Sequence, residues 1–178
     1  NLSHLPSAQC LSAHVGRDER VMVAAVVTNY AAISTGLTPE QEGITANTIA
    51  NALPSSGAVY QGDLGQFYWL QSEFDEVTME ELFETTANHL NKGVIVGERT
   101  LIVQVAFGVE RIASASLASR LKTAESAAQA AARQRRTYKV HDQDAQDALR
   151  WQSRVLFEMD EALRNREIDI ALQPQLNI

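Results

Sequence analysis

The chain has 178 residues, of which 45% are hydrophobic and 21% charged, and it carries a formal net charge of −7. That length sustains one domain with a full core, burying ~70% of the surface an unfolded chain exposes. The acidic balance argues against nucleic acid or an anionic membrane as a general partner, since both reward basic surfaces. A lone Cys10 excludes an internal disulfide and a cysteine-rich metal site, which fits a reduced, cytoplasmic setting. No run of about 18 apolar residues is present to span a bilayer, so no membrane insertion is expected, and no signal peptide is readable. The chain opens at Asn1 without a Met and stops inside an apolar run at Ile178, so a piece of a longer protein is expected.

Asn1 to Asp18 is mixed, with Leu11 and Val15 at helical spacing after Leu5-Pro6. Val21 to Val27 is a continuous Val-rich run, long enough for a buried strand and too short for a typical helix. Ala31, Ala32 and Ile33 open a helix that Gly36 stops. Thr38-Pro39-Glu40-Gln41 predicts another helix, with Thr38 as N-cap and Gln41 closing a capping box, and it runs to about Leu53 before Pro54 and Gly57. Two short apolar and aromatic runs, roughly Ala58–Gln61 and Gln66–Gln71, flank Gly62-Asp63-Leu64-Gly65 and read as a β-hairpin.

Thr78, with Glu81 three residues on, predicts a helix start, and Met79, Leu82, Phe83, Ala87 and Leu90 form its apolar stripe up to Lys92-Gly93. Leu101 to Val109 reads as one central strand. Ser116 to Arg133 is an alanine-dominated helix, and Tyr138-Lys139-Val140 a short strand. Asp142 opens a long helix to about Arg166, and Ile168–Leu172 reads as a strand that begins a new unit. Helices interleaved with strands predict an α+β fold, an α/β sandwich around a mixed central sheet of about five strands.

The ordered set of landmarks resembles a GGDEF nucleotide cyclase domain. Asp63-Leu64-Gly65-Gln66-Phe67 stands where that family has Gly-Gly-Asp/Glu-Glu-Phe. Leu5-Pro6-Ser7-Ala8-Gln9 resembles the opening Leu-Pro-Asn-Arg, and Val23–Val27 with Asn29–Ile33 sits at the Asp-x-Asp-x-Phe-Lys-x-Ile segment. Val105–Val109, Leu121–Glu125 and Arg133–Val140 resemble the later strand, the Leu-x-x-Ala-Asp helix and the Gly-Arg-Asn-Arg-Val end. The tail, Ala162–Ile168 followed by Ala171-Leu172-Gln173-Pro174-Gln175-Leu176, resembles the entry to an EAL domain, the family that hydrolyses cyclic-di-GMP. The resemblance implies a GGDEF domain over residues 1–141, an interdomain helix over 142–167 and the first strand of an EAL domain over 168–178.

Making cyclic-di-GMP from GTP needs a divalent metal to neutralise phosphate and activate the attacking hydroxyl, and magnesium asks for carboxylate oxygens. By the resemblance, the metal-binding strand Asp falls at Val26, the hairpin acid at Gly65 and the neighbouring Glu at Gln66. The guanine-reading Asn and Asp fall near Ser34 and Gly43, and the phosphate-holding Lys and Arg at Ala132 and about Arg135. The inhibitory Arg-x-x-Asp falls at Pro54-Ser55-Ser56-Gly57. The expectation is a degenerate domain with no catalytic residue, no metal site and no cofactor, which tunes or positions its own EAL domain. GTP bound without turnover through Gly62, Asp63, Gly65, Gln66, Ser34 and Arg135 is one route. A residually active diguanylate cyclase and a purely structural dimerisation or interaction module are the alternatives.

Other features have plainer readings. Tyr60, Phe67, Tyr68 and Trp69 are placed to stack a base, but cross-strand packing is their ordinary role. Arg133, Arg135, Arg136 and Lys139 cluster at a helix C-terminus, where cations offset the macrodipole. Glu73, Asp75, Glu76, Glu80, Glu81 and Glu84 suit a solvated face at a helix start, and His4, His14, His89 and His141 lack ligand spacing. In the last helix Ala145, Leu149, Gln152, Leu156, Met159 and Leu163 form a heptad-like stripe. It is suited to pair with a second copy, as a homodimer interface through Leu149, Leu156, Met159 and Leu163, or to fold back on its own domain, which the weak seam residues Gln152 and Ala145 favour. Trp151 lies off the stripe, where it would anchor the EAL domain.

Overall fold

The computed structural model describes residues 5–13, 20–63, 65–72, 75–111, 116–141 and 143–165. The chain divides into two compact units, Asn1–His141 and Asp142–Ile178.

In the first unit a 3-10 turn over Ala8–Ala13 leads towards β1 (Val21–Val27), so the helical spacing of Leu11 yields a tight turn, and Val15 lies outside the described residues. α1 (Tyr30–Ser34) is a single turn of helix. α2 (Pro39–Ala52) starts on the expected capping box: the Thr38 hydroxyl accepts the Gln41 N–H, and the Gln41 side chain accepts the Thr38 N–H. β2 (Tyr60–Gln61) and β3 (Gln66–Gln71) form the hairpin, with Tyr60 opposite Tyr68 and Gln61 opposite Phe67.

α3 (Glu76–Lys92) is capped by Asp75 and not by Thr78. The Asp75 carboxylate accepts the Thr78 N–H at 2.9 Å and the Thr78 hydroxyl at 2.6 Å, so the charged acceptor takes the cap and Thr78 becomes its partner three residues on. The run read as one strand is two. β4 (Val94–Val96) and β5 (Arg99–Leu101) make a separate hairpin, and β6 (Val105–Glu110) alone enters the main sheet. The break falls at Ile102–Gln104, where the Asn29 side chain donates to the Ile102 carbonyl at 2.9 Å and accepts the Gln104 N–H at 3.0 Å. α4 (Leu117–Arg133), β7 (Tyr138–His141) and, in the second unit, α5 (Gln143–Arg164) complete the described elements. The strand expected at Ile168–Leu172 lies outside the described residues.

The main sheet has five strands in the order β2-β3-β1-β6-β7, with β1 antiparallel to both neighbours and β7 parallel to β6. This is the mixed sheet expected from the pattern of elements. β1 is central, so both its faces are covered. Val23, Ala25, Phe67, Trp69, Phe107 and Val109 pack under α2, α3 and the β4–β5 hairpin. Met22, Ala24, Tyr60, Tyr68 and Leu70 face α4 and the 3-10 turn. Phe83 of α3 stacks on Phe107 with ring centroids 4.6 Å apart, and Trp69 meets the same ring edge-on at 6.3 Å. Phe67 and Trp69 are therefore core residues. α4 approaches β6 so closely that a Cβ on Gly108 would lie 2.0 Å from the Ala124 carbonyl oxygen.

Arg120, in the first turn of α4, is fully buried. Its Nε donates to Glu110 Oε2 at 2.7 Å and its Nη2 to the Arg20 carbonyl at 2.7 Å. Within the second unit, Leu156, Met159, Leu163, Trp151 and Phe157 are exposed on α5, while the Leu149 side chain lies outside the described set.

Candidate functional site

The β2–β3 hairpin turns beside the C-terminal end of β1, because Val26 pairs with Gln66 and the Val27 N–H donates to the Gly65 carbonyl at 2.8 Å. Inside the turn the main chain is largely satisfied by its own residues. The Gly62 N–H donates to the Gln66 carbonyl at 3.0 Å, the Gln66 N–H to the Asp63 carbonyl at 3.0 Å, and the Asp63 N–H to Gln66 Oε1 at 3.3 Å. Gly65 has φ of 76°, a left-handed angle that favours glycine, and it is covered by Tyr30. A Cβ there would stand 2.7 Å from both Cβ and Cγ of the tyrosine.

Gln66, Tyr68 and the α4 residue Glu125 form a polar knot on the α4 face. Gln66 Nε2 donates to Glu125 Oε1 at 2.7 Å, the Tyr68 hydroxyl lies 3.1 Å from Gln66 Oε1 and 3.3 Å from Glu125 Oε2, and Gln129 Nε2 donates to Glu125 Oε1 at 2.8 Å. Burial, then the Glu125 charge and hydrogen bond, then the Asp63 charge, push the Tyr68 hydroxyl well above its ordinary pKa, so it stays protonated as a donor. The knot borders a polar cleft of about 260 Å³ that Gly62, Asp63, Gln66, Tyr68, Leu121 and Glu125 help to line. Its two charged walls, Asp63 and Glu125, are both acidic.

The other wall of the hairpin is the β1–α1 turn. The Thr28 N–H donates to the Gln104 carbonyl at 2.8 Å and the Thr28 hydroxyl bonds the same oxygen at 3.3 Å, while Asn29 clamps Ile102 and Gln104 as described. The polar groups of this turn thus hold the 102–104 loop. Tyr30, buried between Gly65 and the core, has its pKa raised by desolvation and by the nearby Glu42 charge.

Of the six ligand candidates, Gly62, Asp63, Gly65 and Gln66 come together at the hairpin. Ser34 ends α1, with its hydroxyl bonded to the Ala31 carbonyl at 3.3 Å. Arg135 lies off the far edge of the sheet, lining a separate cleft with Glu80 and Glu84. Glu125 and Gln129 escaped sequence reasoning as site residues. Glu125 was visible only as the acid of the Leu-x-x-Ala-Asp-like segment, and its reach across 59 residues to Gln66 has no local signal.

Neither family-model comparison nor comparison with curated proteins gives a match. Solved structures do match. The GGDEF domain of DgcB from Caulobacter crescentus, in complex with c-di-GMP, is 11% identical with a TM-score of 0.59, covering 79% of this chain and 93% of that one. A diguanylate cyclase/phosphodiesterase from Caldicellulosiruptor saccharolyticus is 12% identical with a TM-score of 0.61, covering 79% and 90%. An EAL/GGDEF domain protein from M. capsulatus is 17% identical with a TM-score of 0.54, covering 69% and 84%. The chain has the GGDEF-domain fold.

The resemblance read in the sequence would put a divalent metal between the end of β1 and the hairpin, with Val26 and Gly65 at its two acid positions. Val26 offers no oxygen ligand and Gly65 no side chain, and Tyr30 fills the space a side chain at 65 would enter. Among the described residues no cluster of three or more His, Cys, Asp or Glu could hold a metal ion. None of their helices is long and apolar enough to cross a membrane.

Proposed function

We propose that this GGDEF-fold unit is a non-catalytic regulatory domain of a cytoplasmic cyclic-di-GMP signalling protein, tuning or positioning an EAL domain that follows it. The observation that carries the reading is Tyr30 seated on Gly65, with Val26 beside it. The two positions that should present metal-binding acids present a methyl-bearing side chain and a glycine with no room for a Cβ. Electrostatic stabilisation commonly supplies the largest part of catalysis, and each ~1.4 kcal/mol lost is about tenfold in rate. Losing both acids removes that stabilisation at its source.

The hydrogen bonds at the hairpin favour regulation through protein contact over regulation through bound nucleotide. Gly62 N–H and Asp63 N–H already donate within the turn and Thr28 N–H to the 102–104 loop, so these donors are unavailable to a phosphate. The exposed α5 side chains Leu156, Met159 and Leu163 supply an apolar stripe for such contact, either with a second copy or with the EAL domain.

Three measurements test the reading. The 178-residue chain incubated with GTP and Mg²⁺ is expected to yield no cyclic-di-GMP, and metal-dependent product would overturn the non-catalytic assignment. Calorimetry with a non-hydrolysable GTP analogue is expected to give no saturable heat, and saturable binding would move the regulatory input to the nucleotide. In the parent protein, Leu156→Glu with Met159→Glu is expected to change self-association or EAL activity. If neither moves, the contact route through α5 is wrong.

A further inference from the structure

An open cleft of about 670 Å³ lies beside β7, away from the hairpin. Glu80 and Glu84 line one wall, and Arg135, Arg136 and Lys139 are part of the other. The chain as a whole has a net charge of −7, so three cations gathered on one wall run against its acidic balance. We propose that this cleft binds a small zwitterionic phosphate ester, with the phosphate on the basic wall and an ammonium group on the acidic one.

Both walls are anchored in the core. Glu80 and Glu84 lie one turn apart on α3 and flank Phe83, whose ring stacks on Phe107 at 4.6 Å and meets Tyr138 of β7 at 5.7 Å. The basic wall begins where α4 ends. There the Arg136 N–H donates to the Ala131 carbonyl at 2.9 Å and the Arg135 N–H to the Ala132 carbonyl at 3.1 Å, the paired bonds of a Schellman turn. Arg135 holds the left-handed position of that turn with φ of 55°, which glycine takes at lower cost. Arg133, in the last turn of α4, already offsets the helix dipole. Helix termination is therefore served without an arginine at 135, whereas binding an anion uses its guanidinium.

The charges select the ligand. Glu80, Glu84, Arg135 and Arg136 are exposed and Lys139 is half-buried, and among the described residues no ion pair joins the two walls. The cleft thus presents three cations opposite two carboxylates, and a matching occupant carries a surplus of negative charge at one end and N–H donors at the other. A phosphate monoester brings a charge of about −1.5 to −2 near pH 7 and three acceptor oxygens, and the arginine fork meets such oxygens in pairs. One ammonium group then faces Glu80 and Glu84. An amino acid fits less well, because its single carboxylate is cancelled by its own ammonium and leaves the third cation unmatched. None of these side chains belongs to the hairpin, so binding here is independent of whether the domain turns over nucleotide.

The test titrates the full chain with O-phosphoethanolamine and, separately, with ethyl phosphate, which lacks the ammonium. Proton–nitrogen NMR reads the amides of Arg136 to Val140. Saturable shifts are expected with both, and O-phosphoethanolamine should bind about two- to five-fold tighter, the scale of exposed charge pairs. Glu80→Gln with Glu84→Gln is expected to erase that difference without weakening ethyl phosphate. Arg135→Gln with Arg136→Gln is expected to weaken both ligands about tenfold. Circular dichroism verifies that the variants fold, as their exposed positions lead one to expect. No saturable shift with O-phosphoethanolamine, equal affinity for ethyl phosphate, or an unchanged preference in the glutamate variant overturns the proposal. So does tighter binding of a phosphoserine peptide than of O-phosphoethanolamine, which would make a phosphorylated protein the occupant.

Discussion

Replacing Gly108 by alanine isolates the contact on which the hairpin's support depends. In an ordinary strand this change stabilises by ~0.5–1 kcal/mol, because glycine loses more freedom on folding. Here the sign reverses. The new Cβ would stand 2.0 Å from the Ala124 carbonyl oxygen and 2.4 Å from the Ala128 nitrogen, both main-chain atoms of α4 that cannot rotate aside. The helix must withdraw by about 1.4 Å to reach the 3.4 Å at which ordinary contact begins. Overpacking of this kind costs about 1–3 kcal/mol, and rigid backbone on both sides puts Gly108→Ala near the upper end. For a domain of this size ~2–3 kcal/mol lowers Tm by roughly 4–12 °C. The same withdrawal pulls Glu125, one residue beyond Ala124, away from Gln66 at 2.7 Å, so the hairpin should loosen with the core. Thermal and urea unfolding, with hydrogen exchange at Gln66 to Tyr68, measure both effects. A Tm within 2 °C of the unsubstituted protein would refute the close-packing account.

Arg120→Met alone leaves Glu110 buried without its main partner and is expected to cost about 3–5 kcal/mol, whereas Arg120→Met with Glu110→Leu should recover most of it. A double-mutant cycle by urea denaturation checks this, and no recovery would show that Glu110 owes its place to other contacts. Tyr68 has a raised folded-state pKa, so its contribution is fully present below the ordinary value of 10.0 and is lost as pH rises beyond it. Stability should therefore fall on the alkaline side, and Tyr68→Phe should flatten that limb; an unchanged limb would remove Glu125 and burial as the cause.

Local chemistry was legible wherever a few neighbouring residues decide the outcome. β1 was readable from its unbroken Val-rich run, α2 from Thr38, Pro39 and Gln41, and the hairpin from its glycines between aromatic runs. Asp75 displaced Thr78 as the cap of α3 because a carboxylate accepts two bonds there at once, a competition that residue spacing does not settle. The run from Leu101 to Val109 looked like one strand because its apolar residues are continuous. Its division depends on Asn29, more than 70 residues away in sequence.

That Val26 and Gly65 carry no side-chain oxygen belongs to the amino-acid sequence alone, since no folding can create an oxygen ligand that the side chains lack. Tertiary structure decided what surrounds them. Tyr30 lies on Gly65, Glu125 crosses from α4 to hold Gln66 and Tyr68, and Arg135 comes to the far edge of the sheet beside Glu80 and Glu84. Residue type is a local property, whereas which charges and rings meet is set by the order of strands and the faces their helices cover.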